Sequence, residues 1–161
     1  MTMKKIRIET ERLYITPQNI EEMNALYHNE KDRGMKQAYR EMVEAMQSLP
    51  GREEWGSNWR ISLSSGTQVG EIGFKGAPDE KGIVELGYGI GEEFRQNGYA
   101  TEAVKGISKW AFDQEGVKCV TAQTEPDNKV SQKVLQNSGF IRDGYGEEGP
   151  LFKKYKPDTL L

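Results

Sequence analysis

Apolar residues along the chain switch between a spacing of two and a spacing of three to four, and each switch marks a new element. Ile6-Arg7-Ile8 and then Leu13-Tyr14-Ile15 alternate and predict a first strand. Asn19 with Glu22 three positions on reads as a capped helix start, after which Ile20, Met23, Leu26 and Tyr27 share one side. A second helix carries Met35, Ala38, Tyr39, Met42, Val43, Met46 and Leu49 on a stripe that is either core or a wall of a binding site, and Pro50-Gly51 stops it. Trp59, Ile61 and Leu63 then alternate, Ser65-Gly66-Thr67 turns, and Val69 to Lys75 returns as the second strand of a hairpin. Ile83 to Ile90 is another alternating run, followed by a long helix with Ala103, Val104, Ile107, Trp110 and Ala111 inward. Val117 to Thr124 predicts a strand. Asp127 to Ser138 predicts a short helix with Val130, Val134 and Leu135 as its apolar face and Gly139 as a left-handed cap. Phe140 to Arg142 and Leu151 to Tyr155 predict a closing hairpin.

This order predicts an α/β (α+β) fold, a mixed central sheet of about seven strands flanked by about four helices, in one domain over residues 1–161. The strand–helix–strand unit from Ile83 to Thr124 is expected to be a right-handed parallel crossover.

Composition narrows the function classes. A net charge of −3 argues against a nucleic-acid backbone or an anionic membrane as the main partner. Cys119 is the only cysteine and His28 the only histidine, so neither an internal disulfide nor a structural zinc site is expected, and no metal is required. Cys119 alternates inward with Val117 and reads as core, and His28 reads as a solvated or packed side chain. Charges at Arg7, Glu9, Glu11 and Arg12 break any apolar leader, and no apolar run is long enough to span a bilayer; the expected location is cytoplasmic.

The chemistry concentrates between Val84 and Ala100. Val84, Leu86, Tyr88 and Ile90 face one side of their strand, while Glu85, Gly87 and Gly89 face the other. Glycines inside a strand mark a close approach by a ligand or backbone, or make room for a neighbouring helix. At the junction with the long helix, Arg95-Gln96-Asn97-Gly98-Tyr99-Ala100 places small residues where helix amides and the positive end of the dipole hold an anion. Asn128 and Ser131 then share a face of the next helix, which ends in Gly139-Phe140. A dinucleotide-binding G-x-G-x-x-G is not matched by Gly87, Gly89 and Gly91, and G-K-[S/T] is absent.

Taken in order, these features resemble the GNAT (Gcn5-related N-acetyltransferase) superfamily. The resemblance is to its ribosomal-protein N-terminal acetyltransferase-like (RimJ/RimL-type) branch, through Thr10-Glu11-Arg12-Leu13 and Gly98-Tyr99-Ala100-Thr101-Glu102-Ala103. It spans nearly the whole chain, strongest from Ile83 to Phe140 and vague between Asn29 and Trp59. It implies acetyl-CoA as co-substrate and a primary amine as acceptor, a protein N-terminus or a small molecule, with direct transfer in a ternary complex. Arg95, Gln96, Asn97, Gly98, Tyr99 and Ala100 would hold the pyrophosphate. Ile90 would pair with the pantetheine arm through its backbone, Asn128 would bond that arm, and Ser131 would sit near the sulfur. A homodimer is left open.

The tyrosine that many members carry before the Gly-Phe pair is replaced here by Leu135, Gln136 and Asn137. Ser131 is the expected substitute acid, with Tyr145 the alternative. Glu85 is the expected general base, with Glu147 and Glu148 next, though Glu85 could equally form an ion pair with a neighbouring Lys or Arg. Glu102 reads as a helix-surface or supporting carboxylate. A backbone N–H near Ile90 could polarise the thioester carbonyl. The competing reading from another class is a non-catalytic acyl-CoA-binding or sensing module.

Overall fold

The computed structural model describes residues 3–157. Among them lie eight strands in one sheet, ordered β1-β2-β3-β4-β5-β6-β8-β7, and four α-helices. The N-terminal segment expected as one strand is two, β1 (Ile8–Glu9) and β2 (Leu13–Pro17), paired antiparallel. The chain reverses between them where the Thr10 N–H donates to Leu13 O at 2.9 Å. That reversal accounts for an eighth strand where about seven were expected.

Asn19 and Glu22 form the reciprocal cap at the start of α1 (Ile20–Asn29). Helix α2 (Arg33–Gln47) begins at Asp32, whose side chain accepts from Met35 N. These two helices share a small core of Met23, Tyr39, Val43 and Met46. The meander β3 (Asn58–Leu63), β4 (Gln68–Phe74) and β5 (Ile83–Ile90) is antiparallel throughout. From β5 the chain crosses through α3 (Tyr99–Phe112) to β6 (Cys119–Gln123), which pairs parallel with β5. Helix α4 (Lys129–Asn137) leads to β7 (Ile141–Tyr145) and β8 (Pro150–Tyr155), and β8 inserts beside β6.

The main core lies between the sheet and α3. Ala103, Val104, Ile107 and Ala111 are fully buried there against Ile15, Ile61, Ile72, Val84, Leu86 and Val120. Trp110 closes one end, its ring tilted against Trp55 and edge-on to Trp59 at centroid distances of 5.0 and 4.9 Å. Cys119 is buried as expected. Val130, expected on the inner face of α4, is instead 75% exposed; Leu135 alone of that face is fully buried. A nine-residue helix that meets the body through Ser131, Val134 and Leu135 leaves Lys129 and Val130 on its outer side. No helix of the described residues is long and apolar enough to cross a membrane.

Candidate active site

Two features of β5 create the site. The strand changes partners at Leu86: its parallel partner β6 runs with it only from Ile83 to Leu86, and β4 pairs with it from Leu86 onward. Beyond that point β5 continues with β4 alone, Gly89 opposite Glu71 and Ile90 opposite Gly70. Glu85 O accepts from Lys75 N just past the end of β4 and Gly91 N donates to Val69 O of β4, so by alternation the backbone groups of Tyr88 and Ile90 point away from β4, into the opening where β6 has departed. The second feature is the glycine face. A Cβ at Gly89 would meet nothing within 4 Å, and one at Gly87 only Lys75 Cε at 3.9 Å. These glycines therefore border open space and do not make room for a helix. They line a cleft of about 790 Å³ walled by Met35 and Met42 of α2 and by Asn58, Glu71 and Lys75.

Past β5 the chain enters the Arg95–Ala100 loop, expected from its sequence to hold an anion. Gln96 and Gly98 both take left-handed backbones, φ 66° and 80°. For Gln96 this costs about 1–2 kcal/mol, so its neighbours must hold it. Asn97 Nδ2 donates to the carbonyls of Phe94 and Arg95 at 2.9 and 3.2 Å, and Arg95 Nε donates to Ile90 O at 3.1 Å. Gly98 is the N-cap of α3 and no side chain caps the helix. The first-turn N–H groups of Tyr99, Ala100 and Thr101 thus stay available at the positive end of the dipole.

The loop is held from behind by a clamp. Glu102, in the first turn of α3, accepts from Thr10 Oγ1, from Arg12 N at 2.8 Å and from Arg12 Nε at 2.7 Å. Arg12 also donates to Asn97 O at 2.8 Å, and its guanidinium lies 4.7 Å from the Tyr99 ring centroid. Partial burial pushes the Glu102 carboxyl up, but the bonds from Thr10 and Arg12 outweigh it and its pKa falls below the ordinary carboxylate value. The hydrogen bond to Glu102 raises the Arg12 pKa in turn. A bare carboxylate in that first turn would repel an anion; paired with Arg12 it does not.

Of the expected catalytic carboxylates, Glu85 accepts from Lys75 Nζ at 2.9 Å and from Gln123 Nε2 at 3.2 Å. Lys75 also reaches Glu148 at 3.3 Å, while Glu147 is exposed. Burial works against the Lys75 ammonium, but the two carboxylates prevail and its pKa is raised. The ion-pair alternative for Glu85 is thus present in the fold. Glu71 was not anticipated. It lies on the glycine face of β4, directly across from Gly89, bonded to Asn58 Nδ2 at 2.6 Å. The signal was available in Glu71-Ile72-Gly73, the same pattern of a carboxylate with a glycine two positions on that marks Glu85-Leu86-Gly87.

At α4, Asn128 is the N-cap; its Oδ1 accepts from Ser131 N at 3.1 Å, which leaves Nδ2 as the donor. Ser131 Oγ lies 2.7 Å from the Tyr88 hydroxyl. Tyr88 therefore stands at the opening, only half-buried, although its strand face reads as core in the sequence. Tyr145 is 72% exposed on the edge strand β7, with Arg142 stacked on it.

An acetyltransferase (GNAT) domain model matches residues 8–141. The chain belongs to the GNAT acetyltransferase family. Among its relatives, the uncharacterized N-acetyltransferase YjdG of Bacillus subtilis is 44% identical over 73 residues, 45% of this chain and 44% of YjdG. The uncharacterized N-acetyltransferase YoaA of the same organism is 28% identical over 150 residues, 85% of this chain and 84% of YoaA. The stretch matched in YjdG is under half of that relative's length. Among solved structures, a ribosomal-protein α-N-acetyltransferase, RimL, in complex with coenzyme A superposes with a TM-score of 0.72 at 14% identity, over 93% of this chain and 98% of that one. That likeness is one of fold. GNAT acetyltransferases use acetyl-CoA.

Proposed function

We propose that this GNAT domain carries the acetyl group of acetyl-CoA to a primary amine by direct attack in a ternary complex. The observation that carries the reading is the parting of β5 from β6 after Leu86, beside an uncapped helix N-terminus on one side and a glycine-lined cleft on the other. The amides of Gly98, Tyr99 and Ala100 would take the pyrophosphate, with Arg95 contributing its free guanidinium nitrogens and Gln96 and Asn97 shaping the loop. The backbone edge of β5 beyond Leu86, including the Ile90 N–H, would pair with the pantetheine arm as a missing strand would, the Ile90 carbonyl already accepting from Arg95, and Asn128 Nδ2 would bond the arm from α4.

We place the general base at Glu71. The thioester belongs where the backbone edge of β5 is free, at Tyr88 to Ile90, and Glu71 faces that point across the ladder. Glu85 lies four residues back along the strand, roughly 13 Å at strand rise, and is committed to Lys75 and Gln123. The amine must arrive or become uncharged; Glu71, directly or through a water, would take its proton. The acceptor is a primary amine, a protein N-terminus or a small molecule, that fits a cleft with Met35 and Met42 on one wall.

Cofactor choice can be checked by thermal unfolding. Acetyl-CoA at a hundredfold excess over its Kd should add about 2.7 kcal/mol of stability, while NADH at the same concentration should add little. A larger shift with NADH would overturn the assignment.

A further inference from the structure

The family's usual tyrosine on α4 is missing, yet a phenol stands at the same opening from a different element. Tyr88 leaves β5 beyond the point where β6 departs, and its hydroxyl spans to α4, 2.7 Å from Ser131 Oγ and 3.2 Å from Ser131 O. Register places it with care. Tyr88 lies opposite Ile72 and Gly89 opposite Glu71, so Tyr88 and Glu71 bracket one point of β5 from its two faces. An amine entering from the glycine cleft and a thiol leaving toward α4 would meet these two groups in the order the chemistry needs.

We propose that Tyr88 and Ser131 form a two-hydroxyl relay that protonates the departing CoA thiolate, with Tyr88 as the proton source and Ser131 as the group that touches sulfur. The inference rests on the acetyltransferase reading above. As the tetrahedral adduct collapses, the C–S bond breaks and its electron pair goes to sulfur. Ser131 Oγ–H gives its proton to that sulfur, and Tyr88 O–H gives its own to Ser131 Oγ. The amine's proton goes to Glu71, which releases it to solvent, and the phenolate regains one proton from solvent, so in net one proton has passed from nitrogen to sulfur and both groups are reset. Ser131 is held for this part at two points, its backbone N–H donating to Asn128 Oδ1 at 3.1 Å and its Oγ lying 2.7 Å from the Tyr88 hydroxyl. Burial raises the Tyr88 pKa above the ordinary tyrosine value, although the bond to Ser131 opposes this, so the phenol carries its proton at neutral pH.

The test uses the whole chain with acetyl-CoA and an accepted amine. Tyr88→Phe keeps the ring and removes the proton; kcat should fall about tenfold or more, while KM for acetyl-CoA stays within about twofold. The effect sits at or below the low end for general acids because a thiol, of pKa about 8.5, already leaves well. A 3,5-difluorotyrosine placed at position 88 keeps the hydroxyl but makes it more acidic. An acid must be protonated to act, so the alkaline fall in kcat should move to lower pH, which a purely structural role would not produce. Wild-type kcat in Tyr88→Phe, or an alkaline limb that stays in place with the fluorinated residue, would overturn the relay while leaving acetyl transfer intact. A wild-type chain that moves acetyl to no amine would overturn the acetyltransferase reading itself, and the relay with it.

Discussion

The two ends of the site treat their carboxylates in opposite ways. At the start of α3, Glu102 is mostly enclosed and accepts from three donors of Thr10 and Arg12, and Arg12 in turn fixes Asn97 and Tyr99. On the glycine face, Glu71 has a single side-chain donor, Asn58, and looks onto open space. On the proposed reading, the difference separates scaffolding from chemistry. A carboxylate whose lone pairs are filled by its own protein is held as an anion and builds geometry, whereas one with spare capacity beside a cleft can accept a proton from something else.

The largest effect should come from breaking the reactive end. Glu71→Gln is expected to lower turnover by about 10²–10⁴-fold with little change in acetyl-CoA affinity, read from steady-state kinetics beside direct titration. Glu85→Gln, which removes only an ion-pair partner, should cost less than about tenfold. If the two results were exchanged, the base would be Glu85 and the register argument would fail.

Gly98→Val attacks the loop between the two ends. A left-handed N-cap tolerates a branched side chain poorly, and its Cβ would lie 3.3 Å from Arg12 Nη2. Acetyl-CoA affinity is expected to drop about tenfold or more, measured by calorimetry on a variant whose circular dichroism is unchanged. Unaltered affinity would remove the loop from the cofactor site.

Glu102→Gln should act on the scaffold first. Loss of the charged bonds to Arg12 is expected to cost about 1.5–3 kcal/mol of stability in chemical denaturation. Acid should do the same to the wild type. The native pKa of Glu102 is lowered, so its contribution is complete above the ordinary carboxylate value and is lost as pH falls through the native value. Glu102→Gln should therefore lose stability less steeply than the wild type over that acidic range. The smallest effect is expected for Lys75→Met, about 1 kcal/mol or less, because the Lys75 ion pairs with Glu85 and Glu148 face water.

Much of this organisation is legible in the chain. Helical spacing and the Asn19–Glu22 cap give α1, and strict alternation gives β5 with its two faces. The uncapped, left-handed entry to α3 follows from Gly98 at the helix start. What stays hidden is pairing over long sequence distance. Glu102 and Arg12 are 90 positions apart, and nothing local in either says that they meet. Tyr88 reads as core because alternation records which face a residue occupies and not whether its neighbouring strand has left. Glu71 stays unmarked in the sequence for a similar reason, since its place opposite Gly89 is a register that only the folded β4–β5 pair defines. Val130 shows the converse limit: helical spacing gave it an inner face that a short, shallowly docked α4 does not bury.

The central claim is acetyl transfer, and the most direct measurement follows free thiol released from acetyl-CoA across a panel of primary amines, with the acetylated product identified by mass. The account predicts thiol release that depends on one class of amine and matches the acetylated amine mole for mole. Acetyl-CoA that binds tightly while no amine in the panel elicits thiol would contradict it, and would make the domain a sensor of the cofactor.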